Sequence, residues 1–466
     1  MTTTPRPLRI GNVSASRADR PSATAEFLAA ATLDVLALDM LSDEAVLELA
    51  RERTAGGTGY EPAVLDQLGR CLERIGTDGV RIVTNAGGLD PDGLAAALRE
   101  LAAGRGVDLA VATVDAGDAT DRAAALGLEG AEVATARHGA FGIARALAAG
   151  AHVVVTGRVS REALVTGAAA AHHGWTGSAL DALAGSVAVG HVLSGGPGAT
   201  GVVDSSTDVT RTTDPVTGGY PIAEIAADGS AVVTRHPSAF GSVTVGTVTD
   251  QLLDGVAGAR YAAPDVVLRL DSVRLAQEGF DRVRMSGARG EAAPPVVALV
   301  AMSAGAGRPR RVARPLPQEK AGHAVVLPDG RRVEIPVPSE TAPIGPGELP
   351  TPWAPRSVPG GAPVLSPLET VASVRRGVLG RGVNLAVWTW DDSAFAWLAT
   401  ELTTERLTEL VPGLVGMELR RYLLPNLRAV NLVARPQRGS ELEAGLGADL
   451  AAARLEIPGE LLEVGP

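Results

Sequence analysis

The chain has 466 residues, 45% of them hydrophobic, with 42 Lys and Arg against 53 Asp and Glu, a net charge of −11. At about 150 residues per domain, that length allows two or three cores in a globular chain. The acidic balance, with no long basic tract, argues against nucleic-acid binding.

The opening MTTTPRPLRI has no apolar signal core, and no charge-free run of about 18 apolar residues follows, so a cytoplasmic protein off the membrane is expected. From there to about Gly157, apolar β-rich runs alternate with alanine-rich helical ones, the pattern of βα units on a mostly parallel sheet. LRIGNVS predicts the first strand, ATAEFLAAA a helix and LDVLALDM the second strand; VRIVTN, VDLAVATV and HVVVTG predict the next three. Cys71 is the one cysteine, so neither an intrachain disulfide nor a thiolate zinc site is available. It lies in the helical pattern LDQLGRCLERI and is expected as a packed or half-exposed helix residue, with a catalytic nucleophile as the alternative. After TNAGGLDP, Asp90 and Pro91 predict an N-cap with proline at the first helical position.

Ligands of such sheets bind at the carboxyl ends of the strands, which makes five loops candidates. They carry Asn12, Ser14, Ser16, Arg17, Asp19 and Arg20; then Asp39; then Thr84, Asn85, Gly87 and Gly88; then Asp115 and Asp118; and, after HVVVTG, Arg158 and Ser160. The loops after the first, third and HVVVTG strands are expected to lie side by side. No GxGxxG follows the first strand and no GxxxxGK(S/T) occurs, so a dinucleotide or P-loop site has no support.

From Trp175 to about Gly201 the chain is glycine-rich, and from Thr217 to Gly246 it reads as short strands and turns. YPIAEIAADGSAVVT predicts a hairpin around Asp228 and Gly229. Leu268 to Arg284 and Pro295 to Val300 predict further strands of an antiparallel extension. Arg308, Arg310, Arg311 and Arg314, interrupted by Pro309, are expected as a solvated loop. Ten prolines between Pro336 and Pro367 predict a linker over 336–366. It would join an α/β domain over 1–335 to a C-terminal α+β domain over 367–466. In that last part VASVRRGV, VNLAVWTW, SAFAWLATELTTERLTELV, MELRRYLL and AVNLVAR give strand, strand, helix, strand, strand, a module of ferredoxin-like size. It is expected to touch the first domain near its strand ends.

Taken in order, RIVTNAGGLDP, ALAAGAHVVVTGRVSREAL, HHGW, ALAGSVAVGH, GYPIAEIAADGSAVVTRHP, SVTVGTVTDQLL, YAAPDVVLRLDSVRL and DRVRMSGARGE resemble the acyclic terpene utilisation AtuA family, from about Arg9 to Pro295. YLLPNLRAVNLV is similar to the end of the AtuA-like domain that members carry fused or as a separate subunit. The resemblance implies a role near branched acyl-CoA chemistry, because members stand beside enzymes that degrade geraniol and citronellol as acyl-CoA thioesters. CoA would then enter as part of a small-molecule substrate, with no further cofactor, and a homo-oligomer is expected. Four motifs depart from the family pattern. GRVTD becomes GRVSR, placing Arg161 where an acid stands; the glutamate and cysteine of GHxxECGAQxTGG become Ser194 and Gly195; KHPGTGG becomes RHPSAFG; and an SGDKG loop becomes RGVLG at Arg376 to Gly380.

Asn85 either polarises a substrate carbonyl beside the glycine backbone donors or caps its own turn. Thr84, Gly87, Gly88, Asn12 and Arg20 would complete the binding set around it. Arg158 is suited to a bidentate grip on carboxylate or phosphate, with an internal ion pair as the alternative, and Arg161 doubles the charge of that loop. Two arginines with no nearby acid favour an anionic ligand over a metal, and no HxH or HExxH spacing points to a metal. Asp19 is expected as a capping acid at a helix start, with catalysis as its second reading. His236, in RHPSAFG, is the choice for proton transfer, whereas His191 is expected as a hydrogen-bonded core histidine. The expected function is action on an acyl thioester or its carboxylate by proton transfer or hydration and dehydration. The alternative, supported by the lost motif groups, is a catalytically silent member that binds a ligand or assembles with a partner.

Overall fold

The computed structural model describes residues 6–13, 22–77, 79–115, 117–201, 219–236, 241–305, 309–344, 359–379, 382–437 and 445–462. Its centre is a parallel sheet of β1 (Leu8–Val13), β2 (Val35–Leu38), β3 (Arg81–Gly88), β4 (Val111–Val114) and β6 (Val153–Gly157), in the order β1-β2-β3-β6-β4. β2, β4 and β6 are short, fully buried runs rich in Val, Ala, Leu and Thr, as a sheet covered on both faces requires. Alternation along a strand feeds two cores: Val154 packs with the helices Ala163–His173 and Leu180–Leu193, while Val153 and Val155 pack with the helices Ala63–Gly69 and Pro91–Ala103. β3 and β6 are neighbours as expected, but β2 separates β1 from β3.

Antiparallel strands extend the sheet at both edges. On one side come β7 (Pro221–Ile225), β8 (Ala231–Arg235), β11 (Arg274–Gly279) and β12 (Arg282–Ser286), in the order β11-β12-β8-β7-β1. The predicted hairpin is β7 and β8, turning at Asp228 and at Gly229, whose φ of 83° needs no Cβ. On the other side β4 pairs with Ala324–Val326. The strand β5 (Val133–Ala136), not foreseen from the sequence, joins β14 (Val296–Ser303) and β15 (Arg310–Pro317) in a separate three-stranded sheet. β15 corrects the expected solvated loop: Arg310, Arg311 and Arg314 are strand residues, and Arg308 lies outside the described residues.

The C-terminal region is a four-stranded antiparallel sheet, β19 (Ser373–Leu379), β20 (Gly382–Trp388), β21 (Met417–Leu424) and β22 (Ala429–Pro436), ordered β19-β20-β22-β21 with helices between β20 and β21. The end of the proline-rich run, Pro363–Pro367, forms a two-stranded ribbon with Arg454–Pro458. Leu385 and Val387 face the region's own core, whereas Ala386 and Trp388 pack into the core of the large sheet. On that docking face the buried Asn384 donates to the Leu253 carbonyl at 2.7 Å and accepts from the Gly255 amide at 3.1 Å, and Asn431 donates to the Val256 carbonyl at 3.1 Å. No helix among the described residues is long and apolar enough to cross a membrane.

Candidate functional site

A cavity of about 760 Å³ lies beyond the carboxyl ends of β2 and β6. Asp43, at the start of the helix Asp43–Thr54, and the segment from Arg158 to Glu162 after β6 form one wall. Arg137 after β5, Arg311 and Arg314 on β15, and Arg376 and Val378 on β19 close it from other sheets. Six arginines therefore face three carboxyls, those of Asp43, Glu162 and Asp254.

Ser42 fixes the entry of the Asp43 helix by accepting from the Ala45 amide, and Asp43 then projects from its first turn. The Asp43 carboxylate accepts from Arg137, from Arg158 at 3.3 Å and from Arg311 at 2.6 Å. Burial opposes its ionisation, but the three guanidiniums outweigh burial and hold its pKa well below the usual carboxylate range. Burial, and then the neighbouring Arg158, push Arg137 down to about 9, so it remains charged at neutral pH. Arg137 Nη1 and Arg158 Nε and Nη1 are buried without a protein partner, which leaves donor capacity beyond what Asp43 can accept.

Glu162 is buried, accepts from the Tyr261 hydroxyl at 3.0 Å, and has its carboxyl pKa raised by burial. Burial likewise keeps Tyr261 protonated. His191 hydrogen-bonds the Asp254 carbonyl at 3.0 Å and tilts over Tyr261 at 4.7 Å; burial and then Arg161 push it down to about 4, so it is neutral. Arg161 stays a cation because Asp39 and Asp254 outweigh its burial.

Of the residues singled out in the sequence, Arg158, Ser160, Arg161 and His191 line this cavity, as do Arg311, Arg314 and Arg376, which were expected only in a solvated loop and an altered motif. The expectation of two arginines without a nearby acid is corrected, since Asp43 sits among the guanidiniums and Arg158 makes the internal ion pair that was the alternative. Asn85 is buried and committed: its Oδ1 accepts from the Met40 amide at 2.7 Å and its Nδ2 donates to Asp39 at 2.6 Å. Thr84 donates to the Leu38 carbonyl and accepts from the Ala86 amide. The Gly87 and Gly88 positions are closed by protein atoms, because a Cβ at Gly87 would stand 2.6 Å from the Thr156 carbonyl oxygen and one at Gly88 2.8 Å from the Gly59 oxygen. Asn12 donates to the Leu193 carbonyl at 2.9 Å. His236 is buried with its ring edge-on to Phe27 at 6.3 Å, and is not among the cavity residues. Asp19 and Arg20 lie outside the described residues.

Sequence reading assigned no site role to Asp43, Arg137, Glu162 and Tyr261. Asp43 carries only the signal of an ordinary helix start, and Arg137 and Arg311 meet only because β5 and β15 both pair with β14. Among the described residues no group of three His, Cys, Asp or Glu side chains could hold a metal. Comparison with family models matches residues 8–307 to the acyclic terpene utilisation family protein AtuA. No curated protein and no solved structure matches the chain.

Proposed function

The chain belongs to the acyclic terpene utilisation AtuA family, and from that premise we propose that the arginine-lined cavity binds the anionic part of an acyl thioester or its carboxylate. The protein would then act on that ligand by proton transfer or by hydration and dehydration. The observation that carries this reading is the surplus of Arg137, Arg158 and Arg311 over Asp43, with three guanidinium nitrogens buried and unpartnered. Buried cations are retained where a counter-charge completes them, and planar guanidiniums match the paired oxygens of carboxylate and phosphate. Arg376 extends the same cationic lining from the C-terminal sheet, so the ligand would touch both parts of the molecule. None of Thr84 to Gly88 lines this cavity.

Calorimetric titration of the full chain with isovaleryl-CoA, isovalerate and inorganic phosphate tests it. Arg158→Ala should weaken binding by about 1.5–3 kcal/mol, the usual worth of hydrogen bonds to a charged group. Binding that is undetectable in the wild type, or unchanged in Arg158→Ala, overturns the reading.

A further inference from the structure

We propose that Glu162 is the proton-transfer group of this cavity, taking a proton from the carbon next to the carbonyl of a bound acyl thioester. The proposal rests on the anion-site reading above and names the group that reading leaves open. Two carboxyls line one cavity in opposite surroundings. Asp43 is saturated by three guanidiniums and serves as a fixed counter-charge. Glu162 accepts instead from the neutral hydroxyl of Tyr261 at 3.0 Å. Environments that drive two carboxyls apart in this way separate a permanent charge from a group able to take and return a proton.

The position of Glu162 is fixed rather than incidental. It immediately precedes the helix Ala163–His173, and its carbonyl accepts from the Val165 and Thr166 amides at 3.1 and 2.9 Å. The helix Leu180–Leu193 presses against its backbone through Gly190, where a Cβ would stand 2.9 Å from Glu162 Cα. Burial raises its carboxyl pKa above the ordinary carboxylate value, the direction that makes a carboxylate a stronger base. The charged and titratable groups around it are Arg161 beside it in the chain, Tyr261 on Arg260–Ala262, and Asp265, with the neutral His191 behind Tyr261.

In the step itself the C–H bond breaks, its proton forms an O–H bond on the Glu162 carboxylate, and the electron pair moves to the carbonyl oxygen as an enolate. The guanidiniums of the cavity stabilise that oxyanion. Return of the proton restores both partners, so no oxidant, reductant or co-reactant is needed.

The test is solvent exchange: the full chain is incubated with isovaleryl-CoA in D2O, and deuterium at the carbon next to the carbonyl is followed by mass spectrometry. Wild type should exchange, with a rate that rises with pH through a midpoint above the ordinary carboxylate range. Glu162→Gln should lose about 100-fold or more of that rate while keeping its thermal stabilisation by isovaleryl-CoA. Tyr261→Phe should move the pH midpoint and leave a measurable rate. Should Glu162→Gln fail to fold, Glu162→Asp and the wild-type pH profile decide. The proposal is overturned by wild-type exchange rates in a folded Glu162 variant, by a pH-independent profile, or by a wild type that binds the thioester without exchange. A wild type that does not bind it at all brings down the anion-site reading first, and this one with it.

Discussion

Replacing Asp43 by asparagine removes the carboxylate that three guanidiniums share while nearly preserving its shape. The Arg137 and Arg158 side chains are only 11% and 8% exposed, so the charges left behind cannot be hydrated in place. Leaving buried charge uncompensated costs about 3–5 kcal/mol. Arg311, at 35% exposure, is screened by solvent and is not counted toward that figure. A loss of about 3 kcal/mol is therefore expected in anion-poor buffer. An anion seated among the same guanidiniums should restore much of it, since a ligand at about 100 times its Kd returns about 2.7 kcal/mol. The assay is urea unfolding of wild type and Asp43→Asn across a phosphate series. The variant should be the weaker protein without phosphate and the more phosphate-dependent one. Equal stability without phosphate, or no recovery with it, refutes the argument. Because the Asp43 pKa is depressed, its stabilisation is present above the ordinary carboxylate value and is lost as pH falls below it.

Acid should weaken the fold by another route. His138 and His191 are buried and pushed down by burial to about 4, so their contribution is complete above about 6.5 and is lost as pH falls toward 4, by up to about 3 kcal/mol each. Asp265, raised by burial to about 6, works in the opposite sense and loses stability as pH rises to that value, as do Glu162 and Asp250, which burial also raises, so the histidine contribution is read from a histidine variant against the wild type. His138→Gln should lose less stability than the wild type as pH falls from about 6.5 to about 4, and an equal pH dependence of the two urea midpoints contradicts the burial argument. Gly87→Ala should destabilise by about 1–3 kcal/mol, because the new Cβ meets backbone atoms of Thr156 and Pro91 at 2.6 and 2.8 Å. A stable Gly87→Ala protein would mean that the turn has room for a ligand after all.

Local pattern carried much of the fold. The alternation of β-branched runs with alanine-rich helices gave the parallel core, Asp90 accepts from the Gly93 amide as the helix cap its sequence promised, and Asp228-Gly229 turned the hairpin. What stayed hidden was long-range. VATA at Val133–Ala136 is too short and too alanine-rich to announce a strand, and its partner β14 lies far along the chain. The site followed the same divide. Arg158 and Arg161 stand at a strand end and could be picked out there, and Asp43, shortly past the end of β2, carried only the signal of a helix start, whereas Arg311 and Arg376 reach the cavity only through pairings that no local window contains. The glycines of Thr84 to Gly88 misled for a physical reason: close approach of backbone to backbone asks for the same residue as close approach of backbone to ligand.

The asparagine seam under the C-terminal sheet has a consequence for how such a molecule can be assembled. Asn384 and Asn431 address main-chain groups of Leu253, Gly255 and Val256, and Asn426 addresses the carbonyls of Leu270 and Val273 at 2.7 Å. Main-chain groups are offered by any sequence that keeps the same backbone path, so this joint tolerates drift in the surface it grips. The peptide connection between Ile344 and Pro359 raises the effective concentration of one half for the other, while the seam sets their orientation. Asp254, between the gripped residues, and Arg375, next to Arg376, form an ion pair at 3.4 Å across the same joint. A polypeptide severed in that connection would still have the means to rebuild the cavity from two chains, with the seam acting as a keyed socket.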